Sequence, residues 1–131
     1  MALALGCAAL ACGGCGAEPD DEERVAAAAE AFYRAVAAGD GENACRQLTP
    51  STAETLEREE QAPCAEAVLE VSLSGPAPAS TATVYITSAR VRMDSGDVAF
   101  LDETEEGWRV AAAGCKAQPG EERPDDCELE S

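Results

Sequence analysis

The chain has 131 residues, room for one domain with a modest core, and a formal net charge of −17. Hydrophobic residues reach 46%, but much of that is alanine, and the aromatics are only Phe32, Tyr33, Tyr85, Phe100 and Trp108, so each residue removes little apolar area from water. Acidity on this scale excludes nucleic-acid backbones and anionic lipid surfaces as electrostatic partners, and it keeps the domain dispersed.

Residues 1–11 are almost pure alanine and leucine. The segment is too short to span a bilayer, which takes ~20 apolar residues, and it matches a secretory apolar region of ~7–15 residues. Ala9-Leu10-Ala11-Cys12, running into Gly13-Gly14, resembles the end of a bacterial lipoprotein signal, which implies that Cys12 becomes the lipidated first mature residue. Cys15 and Cys7 compete for that role. Cys15 has a cysteine three residues before it, and Cys7 leaves a very short apolar stretch. No Lys or Arg precedes Arg24, so the true start is expected upstream, with basic residues.

Residues 12–22 read as an acidic tether. A helix is expected from Glu22 to Ala38, capped by Asp20 or Asp21 and stopped at Gly39; Val25, Ala28, Ala29, Phe32 and Val36 form its apolar face. Asp40 caps a short helix through Cys45 to Leu48. Thr49 caps a third that begins at Pro50 and ends near Glu60, with Ser51 and Glu54 as an alternative capping box. Pro63 opens one or two further turns carrying Cys64, Val68 and Leu69.

After Gly75-Pro76-Ala77-Pro78 the apolar period changes from 3.6 to 2. Ala82, Val84 and Ile86 alternate with Thr81, Thr83, Tyr85 and Thr87, then Ala89, Val91 and Met93 with Arg90 and Arg92, which is strand chemistry. Asp94-Ser95-Gly96-Asp97 is a tight turn into a strand over Val98 to Leu101. Glu105-Glu106-Gly107 turns again into Trp108-Arg109-Val110. The inner face of this antiparallel meander is expected to hold Ile86, Val91, Phe100, Trp108 and Val110. The domain proper is 23–117; residues 118–131 form an acidic tail held only by Cys127.

Beyond the leader lie four cysteines, Cys45, Cys64, Cys115 and Cys127, which allow three connectivities. Two local bridges, Cys45–Cys64 and Cys115–Cys127, are expected: the first brackets a helical region and the second ties the tail to the last strand. Closing loops of this size contributes roughly 3 kcal/mol each on the loop-entropy model. The competing reading, a zinc site, lacks support: the chain has no histidine, and its one CxxC, Cys12 to Cys15, lies in the leader. Structural disulfides agree with an oxidising, extracytoplasmic compartment.

Helices first and an antiparallel sheet after them give an α+β domain, with helices packed on a curved sheet. That order, with a long first helix and a last strand containing Gly107-Trp108-Arg109-Val110, resembles the nuclear-transport-factor-2-like fold, a cystatin-like roll. Several pieces together resemble a family of small actinobacterial lipoproteins. They are Phe32-Tyr33, Ala35-Val36, Ala38-Gly39-Asp40-Gly41, Ala44-Cys45, Leu48-Thr49-Pro50, Pro63-Cys64-Ala65, Gly114-Cys115 and Asp126-Cys127. The resemblance covers roughly residues 25–129 and implies location, fold and disulfides; it implies no established activity. Alanine richness and eight Arg to one Lys suit a GC-rich genome.

Chemistry is thinly represented. Some proteins with such rolls use Asp, Tyr and His in the cavity, and without histidine the usual proton shuttle near neutral pH is gone. Tyr33 is expected to flank the core, Asp40 to cap a helix, Tyr85 to pack half exposed, and Arg90 and Arg92 to pair with carboxylates. Trp108 is expected in the core, the alternative being the mouth of a ligand cavity. No Gly-x-Ser-x-Gly elbow is present. Asp20-Asp21-Glu22-Glu23 and Asp125-Asp126 lack the spacing and glycine of a calcium loop. No catalytic residue, metal or cofactor is expected. The expected function is that of a non-enzymatic, lipid-anchored domain on the outer face of the cell membrane, binding a protein or small molecule. The alternatives are a carrier using the roll cavity and an isomerase- or hydratase-like enzyme.

Overall fold

The computed structural model describes residues 20–116 and 126–131. Four helices precede five strands: α1 (Asp21–Ala37), α2 (Gly41–Arg46), α3 (Pro50–Glu60), α4 (Cys64–Ala67) running into a 3₁₀ turn (Val68–Glu70), then β1 (Ala79–Tyr85), β2 (Ser88–Met93), β3 (Asp97–Thr104), β4 (Gly107–Lys116) and β5 (Leu129–Glu130). The architecture is α+β. The leader with Cys7, Cys12 and Cys15, the tether up to residue 19 and tail residues 117–125 lie outside the described residues.

Local chemistry starts each helix. Asp20, Asp40 and Thr49 each accept a backbone N–H three residues on, and Pro50 occupies the first turn of α3, where its missing N–H costs nothing. The first helix begins at Asp21, one residue before the expected start, because Asp20 rather than Asp21 is the cap. Val25, Ala29, Phe32 and Tyr33 are buried along it, with Ala28 and Val36 packed at the margin. Gly41 admits a close approach: a Cβ there would stand 1.8 Å from the backbone oxygen of Ala65, so α2 and α4 touch main chain to main chain beside the Cys45–Cys64 disulfide.

The strands form one antiparallel sheet in the order β1-β2-β3-β4-β5. On the face toward the helices lie Val91, Met93, Ala99, Leu101, Trp108, Val110 and Ala113, in one core with Phe32, Tyr33, Leu48, Leu56 and Val68. A smaller apolar cluster, Val98, Ala112 and Cys115 with Phe100 and Cys127 against it, sits apart from that core.

Three expectations about the sheet are corrected. Ile86 is not on the inner face: it is 94% exposed with φ 45°, the first residue of a two-residue hairpin loop between Tyr85 and Ser88. Phe100 packs with the smaller cluster, on the face away from the helices, because alternation along β3 turns Ala99 and Leu101 inward instead. The tail is held by more than Cys127: Leu129 is buried, Leu129–Glu130 pairs with β4, and the Lys116 N–H donates to the Asp126 carbonyl.

β4 carries two irregularities. Phe100 opposes Ala112 while Leu101 opposes Val110, leaving Ala111 extra; between the Val98–Cys115 and Phe100–Ala112 pairs, Ala113 and Gly114 face a single residue, Ala99. Such bulges bend a strand and free backbone groups from the ladder. Helix side chains take up the freed groups: the Thr52 hydroxyl donates to the Ala111 carbonyl at 2.8 Å, and the Gly114 N–H donates to the Tyr33 hydroxyl at 3.0 Å. Beyond the bulges, residues 47–49 cover the free edge of β4 through a parallel bridge, Leu48 to Val110.

Candidate functional site

Two places in the domain gather polar side chains: a buried lock at one end of β3 and β4, and the outer face of the sheet. The lock centres on Asp97, expected in the turn but buried as the first residue of β3. Its carboxylate accepts from the Ser74 N–H at 3.0 Å, from the Ser74 hydroxyl at 2.5 Å and from the Lys116 ammonium, which also donates to Ser74 Oγ at 3.1 Å. Burial pushes the Asp97 carboxyl up, but the bonds from Lys116 and Ser74 outweigh it and hold the group below its ordinary value. Burial raises the Tyr33 phenol well above its ordinary value, and the Asp97 charge pushes the same way against the Gly114 N–H. Both groups are fully engaged in holding elements together.

Tyr33 lies inside the core rather than flanking it. Asp40 caps α2, Trp108 is buried with the core, and Tyr85 is 56% exposed. Cys45 is bonded to Cys64 and Cys115 to Cys127, the two local pairings, with sequence separations of 19 and 12.

The outer face follows from register. One row across the sheet reads Thr83, Arg90, Phe100, Ala112, Glu130 through four successive pairings. The neighbouring rows read Tyr85, Ser88, Asp102, Arg109 and Thr81, Arg92, Val98, Cys115. Tyr85, Arg90, Arg92, Phe100, Asp102 and Glu130 line a groove of about 830 Å³ over these rows, within the usual range of ligand sites.

Arg90 and Arg92 were expected to pair with carboxylates. Among the described residues neither guanidinium makes a salt bridge or hydrogen bond, and Arg90 Nε is buried without a partner. The reason is register: their cross-strand neighbours are Thr83, Thr81, Phe100 and Val98, none of them charged. Asp102 stands opposite Arg109, whose guanidinium lies 3.8 Å from Glu106.

Two further hollows lie among the described residues. One of about 770 Å³, lined by Cys45, Leu48, Pro50, Ala53 and the β3–β4 hairpin, carries Glu103, Glu105 and Glu106 at its rim. A smaller one of about 290 Å³ lies among Glu30, Arg34 and Pro76 to Pro78. Neither Tyr33 nor Asp97 lines any of the three hollows. Among the described residues no helix is long and apolar enough to cross a membrane, and no group of three or more potential metal ligands occurs.

Alternation along β2 puts Arg90 and Arg92 on one strand face, but nothing in the sequence marks Phe100 and Glu130 as their neighbours across the sheet. The Ser74–Asp97–Lys116 lock, between residues far apart in sequence, is not marked there either, apart from Lys116, the single lysine of the chain, directly after a disulfide cysteine. Comparisons with protein-family models, curated proteins and solved structures found no match to this chain.

Proposed function

We propose that this chain is a non-enzymatic, lipid-anchored binding domain on the outer face of the cell membrane, and that it binds through the sheet face opposite its helices. The observation that carries the reading is the division of labour between the two faces. The helix-side face is filled by Phe32, Tyr33, Leu48, Trp108 and Val110, while the other bears an open groove with two unpaired guanidiniums. A packed interior favours recognition at the surface over carriage inside the roll. A non-enzymatic role is supported by the two shifted ionisable groups, Tyr33 and Asp97, which hold structure together and line no hollow.

Location rests on the leader and the sulfurs. Cys12 supplies the lipid attachment, and two disulfides in a small acidic domain suit an oxidising compartment. On this reading the sheet belongs to a cystatin-like roll in a small actinobacterial lipoprotein.

Two measurements test it. In cell fractionation the protein is expected in the membrane fraction, released by detergent; recovery in soluble cytosol contradicts the anchor. In a thermal-shift screen of fractionated extracts, a fraction that stabilises the wild-type domain is expected to lose its effect on Phe100→Ser. Equal stabilisation of both proteins places binding elsewhere and overturns the outer-face assignment.

A further inference from the structure

The outer-face groove has a chemical polarity that narrows its ligand. Arg90 and Arg92 stand two residues apart on β2, pointing to the same side of the sheet. Among the described residues neither guanidinium has a carboxylate partner, and the two share one groove. Arg90 Nε is buried without an acceptor, so the Arg90 side chain carries a desolvation cost that no protein group offsets. Beside this cationic side lie two aromatic surfaces: Phe100, directly across from Arg90, and the exposed ring of Tyr85, diagonal to it. At the far end of the row stands Glu130.

We infer that the groove binds a small amphipathic carboxylate. Its anionic head lies against the guanidiniums of Arg90 and Arg92, and its flat apolar body lies over Phe100 toward Tyr85. Guanidinium offers a planar fork that matches a carboxylate with two parallel bonds. A singly charged head fits better than a dianion, because Asp102 and Glu130 border the same groove and the whole molecule is strongly negative. Glu130 repels the head from the β5 end, and Asp102, in the row of Tyr85 and Ser88, repels it from the β1–β2 hairpin. The proposal rests on the outer face being the binding surface and adds the class of ligand.

The test uses 2-naphthoate and its neutral isostere 2-naphthamide as probes, titrated calorimetrically into the oxidised domain and into the Arg90→Gln/Arg92→Gln double variant. Near-UV circular dichroism of the buried Trp108 checks that the variant is folded. The wild-type domain is expected to bind naphthoate about ten-fold or more tightly than naphthamide, a difference of ~1.4 kcal/mol. The double variant is expected to bind both alike, at the naphthamide level. Equal affinities in the wild type, a preference that survives in the double variant, or no binding of naphthoate up to about 5 mM each overturn the carboxylate assignment. Equal affinities that Phe100→Ser abolishes reject the anionic class alone and leave the outer face as the binding surface. Binding that Phe100→Ser leaves untouched rejects the surface itself.

Discussion

Asp97 is the one fully buried carboxylate among the described residues, and its bonds to Ser74 and Lys116 join the loop before β1 to the ends of β3 and β4. Its pKa is depressed in the folded protein, so the stability it contributes is present above its unfolded value. That contribution is lost as pH falls from about 3.9 through the lower folded value. Asp97→Asn is expected to cost about 2–3 kcal/mol at neutral pH. The gap between wild type and variant, read from urea unfolding, should narrow as pH drops from about 4 toward 2. A gap independent of pH in that window would show that the carboxylate charge contributes nothing. Ile86 presents the opposite case, a residue at odds with its conformation. A β-branched side chain at φ 45° is strained, and primed hairpin turns favour glycine at this first loop position. Ile86→Gly is expected to stabilise the domain by about 1 kcal/mol, seen as a higher melting temperature; a lower one would mean that the exposed side chain makes a contact that matters.

At the scale of elements, helix starts were legible because capping is local: Asp20, Asp40 and Thr49 each satisfy a donor three residues away. The β1–β2 turn was not legible, since Tyr85-Ile86-Thr87-Ser88 contains none of the glycine or asparagine that normally announces a hairpin. The face of Phe100 was misread for a different reason. Val98 and Phe100 point one way and Ala99 and Leu101 the other, so apolar residues occupy both faces of β3 and a period of two does not choose between them. The outer-face rows depend on bulges in β4, which alanine repeats at 111–113 do not advertise. Half of the candidate site, Arg90 and Arg92 on one face, was therefore readable, and its other half, Phe100 and Glu130 across the sheet, was not. The tightest joint between elements is main chain on main chain at Gly41. Gly41→Ala drives a methyl group into the Ala65 carbonyl, which no side-chain rotation relieves. A loss of about 3 kcal/mol or more is expected in chemical denaturation, and an unchanged midpoint would contradict the close packing of α2 on α4.

For the whole molecule, one face of the sheet packs against the helices, and the other bears the open groove that we propose serves recognition. Four helices fill the first face, and each of the two disulfides ties a flank of the domain: Cys45–Cys64 within the helical layer, Cys115–Cys127 between β4 and the final strand. A core rich in alanine gains from that bracing, about 3 kcal/mol per closed loop against a total of perhaps 5–15. The most direct measurement is an amide shift map of the ¹⁵N-labelled domain, titrated with the extract component that stabilises it. Shifts are expected to concentrate at Arg90, Arg92, Phe100 and Ala112, with Phe32, Leu48 and Trp108 unmoved. Shifts centred on Phe32, Leu48 and Trp108 would contradict outer-face binding, because they would place the ligand among the very side chains that pack helix against sheet.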